Sequence, residues 1–168
     1  MTRLAPALLV LLVAVVAAPA AGAKTFKLDW REQKIVASRA VTFHITKIVI
    51  TPTTWSLTLS IRNGTRASLR VTTPPRGTTP IPTLNILRPD QYRGETALVD
   101  TEHSVAHDPP PSQLPRAIAA GLTWTGTIGG TGKMRRGRYV VGLGWFEPLD
   151  PRAGGRGFYW VTDHSVGY

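Results

Sequence analysis

Between residues 41 and 61 apolar side chains fall at nearly every second position. Val41, Phe43 and Ile45 alternate with polar residues, as a strand with one buried face requires. Ile48 and Ile50 continue the run in the opposite parity, so the pattern predicts a bulge or bend near Thr46 and Lys47. Thr51-Pro52-Thr53-Thr54 reads as a turn. Trp55, Leu57, Leu59 and Ile61 then alternate with Ser56, Thr58 and Ser60, the clearest strand in the chain. Asn63-Gly64 follows at once, a pair that accepts the positive φ of a tight turn. With Thr65 it is also a glycosylation sequon, for which the turn is sufficient explanation. Leu69 and Val71 open the next strand. Thr72 to Pro82, with Pro74, Pro75, Pro80 and Pro82, is an extended loop. Leu84 to Leu87 and Thr96 to Val99 are short strand candidates.

Helix has little room. Glu102 to Pro115 carries Pro109, Pro110, Pro111 and Pro115 and reads as a polyproline-like connector. Arg116 to Ala120 is long enough for one helical turn before Gly121. Leu122, Trp124, Gly126 and Ile128 alternate with threonines as another strand, ended by Gly129-Gly130-Thr131-Gly132. Tyr139, Val141, Leu143 and Trp145 define a long strand, and Phe158 to Val161 closes the set. About seven or eight short strands between Gly- and Pro-rich turns predict an all-β fold, a sandwich or small barrel.

Three details favour an immunoglobulin-like antiparallel β-sandwich: the Trp55 strand, the long connector before Leu122, and Gly137-Arg138-Tyr139 at the start of a late strand. A Tyr there either bonds its hydroxyl back to the preceding loop or serves as an ordinary core aromatic. Val41 to Leu69, with Asn63-Gly64-Thr65, resembles the front half of bacterial secreted immunoglobulin-like domains. Gly121-Leu122-Thr123-Trp124-Thr125-Gly126 and Gly137-Arg138-Tyr139-Val140-Val141 resemble the back half. The mycobacterial secreted-antigen sandwich is a member of this kind. The resemblance implies a fold and export, and it brings no catalytic residues, since such domains share none.

The first 23 residues differ from the rest. Arg3 is a short positive region, Leu4 to Ala18 is apolar except for Pro6, and Ala21 and Ala23 occupy the positions a signal peptidase reads. This predicts a secretory signal peptide over 1–23, cleaved before Lys24, and a single domain over 24–168 outside the cytoplasm. About 15 apolar residues fall short of the roughly 20 that span a bilayer, and no later stretch approaches that length. A domain of this size buries roughly 68–70% of its unfolded surface and needs no covalent staples. The absence of cysteine removes disulfides, a thiol nucleophile and thiolate metal sites.

Chemistry-bearing motifs are weak. His103 and His107, beside Glu102 and Asp108, have the spacing of two ligands on one helix face, but the following prolines oppose a helix. They read as a solvated loop, and no metal or other cofactor is expected. Copper is disfavoured too, with Met134 the one thioether after the leader. Gly129-Gly130-Thr131-Gly132-Lys133 lacks the leading Gly and the trailing Ser or Thr of a phosphate loop. No Gly-x-Ser-x-Gly occurs. Asp163-His164-Ser165 has the residue types of a triad, but neighbours on an extended chain point to opposite faces, so it reads as a polar tail. Glu147 and Asp150 form a carboxylate pair on a Pro148 loop, where solvation is the plainer reading.

Charge is the more specific feature. Twenty Lys and Arg face ten Asp and Glu, a formal charge of +10. Lys133, Arg135, Arg136 and Arg138 crowd one turn, and Arg152 and Arg156 sit in the next. If the two sets converge, their forks match phosphate or carboxylate groups. An exported protein with this charge meets anionic envelope polymers, lipid headgroups or acidic proteins. Nucleic acid is disfavoured by export. The competing explanation is solubility in an arginine-rich composition, Arg outnumbering Lys 15 to 5. The sequence therefore reads as a secreted, non-catalytic interaction module with basic loops. A small secreted hydrolase using loop carboxylates or histidines is the alternative, and a structural or antigenic protein without a ligand is the third.

Overall fold

The computed structural model describes residues 22–72, 85–87, 115–134 and 136–168. The 72–82 loop beyond Thr72, the 96–99 strand candidate, His103, His107, Arg135 and nearly all of the predicted leader lie outside these residues. The described chain forms two antiparallel sheets, an all-β sandwich. The first has the order β1 (Lys24–Val36), β2 (Arg39–Ile50), β3 (Thr54–Asn63) and β6 (Thr123–Thr131). The second is built on β7 (Arg138–Pro148). On one side of β7 lie β4 (Leu69–Thr72) and β5 (Asn85–Leu87), end to end. On the other lie β8 (Phe158–Val161) and β9 (Val166–Gly167). Five strands thus make a sheet three strands wide.

Alternation places the core. Val41, Phe43 and Ile45 are buried, then Thr46 and Lys47 are both exposed, then Ile48 and Ile50 are buried again. The register with β3 shifts between Ile45 and Lys47, the bulge that the parity change requires. Trp55, Leu57, Leu59 and Ile61 all face inward. The sheets meet through aromatic rings: Phe43 of β2 stacks on Trp160 of β8 with centroids 4.4 Å apart and meets Phe146 of β7 edge-on at 5.4 Å. Phe146 in turn stacks on Phe158 at 5.2 Å.

Several expectations are corrected. The sequence pattern does not mark the strand β1: its outward positions are polar only as far as Gln33, Ile35 is exposed, and Glu32 and Lys34 interrupt the inward series Phe26, Leu28, Trp30 and Val36. Tyr139 and Val141 are core, but the β7–β8 register shifts between Leu143 and Trp145. Phe146 is therefore the fully buried ring, and Trp145 packs half-buried over Gly157. Residues 116–120 form no helical turn; Ile118 bridges Leu69 by two backbone hydrogen bonds of 2.8 and 2.9 Å. The helix that does form is one turn, α1 (Pro151–Gly154), capped by Asp150.

Asn63-Gly64 is not a left-handed hairpin turn. The glycines with positive φ are Gly22, Gly121, Gly137 and Gly155 among the described residues. Gly64 is needed because a Cβ there would collide with the Ala40 carbonyl oxygen. Asn63 is fully buried. Its Nδ2 donates to Ala67 O at 2.8 Å and Ile118 O at 2.9 Å, while Oδ1 accepts from Thr65 N and Thr65 Oγ1. The amide is thus an internal clamp, closed to glycan attachment in the folded chain. The left-handed two-residue hairpin lies instead at Ala37 (φ 46°) and Ser38 (φ 60°), between the paired Val36 and Arg39.

These packing facts set stability expectations, measured by urea unfolding. Trp55→Ala should cost roughly 3–5 kcal/mol. Trp55→Phe should cost far less, because the buried indole N–H has no hydrogen-bond partner among the described residues. Trp124 is only half-buried, so Trp124→Ala should cost less than Trp55→Ala. Ser38→Gly should stabilise by about 1 kcal/mol, the left-handed penalty of a residue with a Cβ. A destabilised Ser38→Gly variant would contradict the hairpin assignment.

Candidate functional site

The predicted basic residues divide between the two ends of β7. Lys133, Arg136 and Arg138 sit at its start, Arg152 and Arg156 beyond its finish. Its 11 residues span roughly 33 Å at about 3.3 Å per residue, so the two sets do not converge. The second set shares its end with Arg39, since Gly155 packs beside Val36 and Ala37.

The first set gains partners that sequence spacing did not reveal. Lys24 donates to Gly167 O at 2.7 Å, which puts the start of β1 beside β9 and Arg138. Gly132 N donates to Thr53 O and Met134 N to Pro52 O, carrying residues 132–134 against the β2–β3 turn. A groove of about 720 Å³ there is flanked by Lys24 and Arg136, with Pro52, Met134 and Tyr168 along it. Three residues up β1, Lys27 lies directly opposite Lys47 of β2. Both are exposed, and neither has an ion-pair partner among the described residues. Arg138 donates through Nε and Nη2 to the neutral Ser165 Oγ, at 3.1 and 2.7 Å.

The candidate carboxylate pair Glu147 and Asp150 has structural partners. Glu147 Oε2 accepts from Arg70 Nη2 at 2.6 Å across the β4–β7 pair. Asp150 Oδ1 accepts from Arg152 N at 2.9 Å as the α1 cap. A second surface cluster joins Asp29 to Arg31 Nε at 3.0 Å and to His44 Nε2 at 2.7 Å. Arg31 first, then His44, hold the Asp29 carboxyl below its usual range.

The chain leaves β7 between β8 and β9, and this break builds a polar cluster. Thr162, Asp163 and His164 do not lie in an extended strand, so the expectation that Asp163 and His164 diverge is corrected. His164 Nδ1 lies 2.6 Å from Asp163 Oδ1 and 2.9 Å from Glu32 Oε1. Ser165 stays apart, on Arg138, so no triad forms. Glu32 projects inward from edge strand β1 opposite Phe43, its side chain 15% exposed. The buried Thr162 hydroxyl donates to Glu32 Oε1, and His164 N donates to Thr162 Oγ1 at 3.0 Å. The Trp30 ring lies 5.1 Å from the imidazole. A cleft of about 270 Å³ opens alongside, lined by Glu32, Lys34, Tyr159, Trp160 and Asp163 among others.

Electrostatics couple the three groups. Burial pushes the Glu32 carboxyl up. The hydrogen bond from Glu32 holds Asp163 down, with His164 adding to it. Glu32, then Asp163, raise the imidazole of His164 above its ordinary 6.5, against a smaller effect of burial. The alternation Phe26, Leu28, Trp30 was the sequence signal for β1, and Glu32 was the inward position that broke it. Nothing local linked Glu32 to His164.

Comparison with family models, curated proteins and solved structures gave no match for this chain. No helix among the described residues is long and apolar enough to cross a membrane.

The raised His164 fixes the sign of a pH effect. The stability it contributes is fully present below its unfolded pKa and is lost as pH rises through the folded value. Glu32, also raised, has the same sign, while lowered Asp163 acts only at acid pH. In buffer free of divalent cations, the melting temperature should fall from about pH 5.5 to about pH 8.5, and His164→Ala should flatten that fall. Parallel curves for the two proteins would contradict the contact.

Proposed function

We propose that the chain is an exported, non-catalytic interaction module of the cell envelope or extracellular space, engaging an anionic partner through the Lys24 end of the sandwich. Kinship with secreted immunoglobulin-like domains and cleavage before Lys24 belong to this reading. The observation that carries it is the pairing of Lys27 with Lys47. Like charges directly opposite on neighbouring strands destabilise a sheet, and a bound anion relieves that repulsion. Lys24, Lys133, Arg136 and Arg138 belong to the same end, and no Asp or Glu among the described residues pairs with any of these six. Partner groups with phosphate, sulfate or carboxylate oxygens suit such a surface.

Retention on immobilised heparin, eluted with rising salt, tests the reading. Wild-type protein should bind at low salt and elute as screening grows. Lys27→Gln/Lys47→Gln and Lys133→Gln/Arg136→Gln should elute at lower salt. Arg152→Gln/Arg156→Gln removes the same charge from the opposite end and should change little. No retention at low salt, or an equal loss in all three double variants, would overturn the proposed surface.

A further inference from the structure

We propose that Glu32, Asp163 and His164 form a binding site for a divalent transition-metal ion, with zinc as its probe. The three donors come from two places that only the fold unites, the inner face of β1 and the break between β8 and β9. Their ligand atoms all lie within 4.8 Å of one another. Around a tetrahedral ion with bonds of about 2.1 Å, neighbouring donors stand roughly 3.4 Å apart. The Nδ1–Oδ1 and Nδ1–Oε1 separations of 2.6 and 2.9 Å therefore need to open by about 0.8 and 0.5 Å. An imidazole nitrogen with two carboxylates suits a borderline ion better than calcium or magnesium, which prefer oxygen throughout.

The surroundings orient the donors as second-layer groups orient metal ligands. The Thr162 hydroxyl fixes Glu32 Oε1, the His164 amide fixes Thr162, and the Trp30 ring limits rotation of the imidazole. The cleft lined by Glu32, Asp163, Tyr159 and Trp160 leaves the remaining coordination positions accessible to water or a ligand. The plainer role of Glu32 is edge protection, since inward charges on edge strands discourage pairing with other chains. That accounts for one carboxylate, not for a second carboxylate and an imidazole nitrogen directed at the same point.

Isothermal titration of the full purified chain with zinc chloride tests this site. Wild-type protein should bind one zinc saturably. Glu32→Gln and His164→Ala should each weaken binding roughly ten-fold or more, while His44→Ala and His103→Ala/His107→Ala should leave it unchanged. Circular dichroism checks that each variant is folded. If His164→Ala unfolds, the imidazole resonances of wild-type protein decide: zinc should shift those of His164. No saturable zinc binding, or binding that survives in folded His164→Ala and disappears in His103→Ala/His107→Ala, overturns the proposal.

Discussion

All strands of the second sheet hydrogen-bond to β7, and that constraint shapes the molecule. A strand of 11 residues offers two edges, so four further strands must share them end to end. The sheet is narrow, and its grip on the first sheet comes from rings: Phe43 lies against both Trp160 and Phe146. Such contacts supply large buried area with defined geometry. They also fix how far β8 lies from β1, because Phe43 is the cross-strand neighbour of Glu32.

The same constraint generates the polar cluster. β8 and β9 share one edge of β7 and are separated by residues 162–165, more chain than the β7 edge between their pairings needs. The excess leaves the ladder, although Thr162 N still donates to Val141 O at 3.0 Å. Freed from strand alternation, Asp163 and His164 turn to one point, and Thr162 is buried beneath them. A packing requirement of the sheet thus produces a convergent donor set at the seam of the sandwich.

Much of the fold was legible where one face is buried and one wet. The parity change at Thr46 and Lys47 located the β2 bulge, and Trp55 to Ile61 located β3. Legibility failed where tertiary contacts replaced local rules. Ala37 and Ser38 adopt the left-handed turn without a glycine or asparagine, whereas Asn63-Gly64, which has both, serves as a buried clamp and a close approach. The site was hidden for two reasons. Edge strand β1 needs charges on its inner face, which disguises its alternation, and Glu32 meets His164 only across the sandwich. The layers agree with the sandwich expected from the sequence. Three hairpin-joined strands in one sheet nevertheless differ from the immunoglobulin constant domain, which sends its third strand to the opposite sheet.

Charge follows a similar logic. Basic residues that crowd the sequence around β7 are parted by its length, while Lys24, Lys27 and Lys47, remote in sequence, are gathered to the Lys133 end by strand register. The 162–165 break is docked on β1, and a double-mutant cycle of Glu32→Gln and His164→Ala measures that contact directly. A coupling of about 0.5 kcal/mol or more in unfolding free energy is expected. Stability losses that add to within about 0.3 kcal/mol would mean that the two residues do not interact in the folded chain.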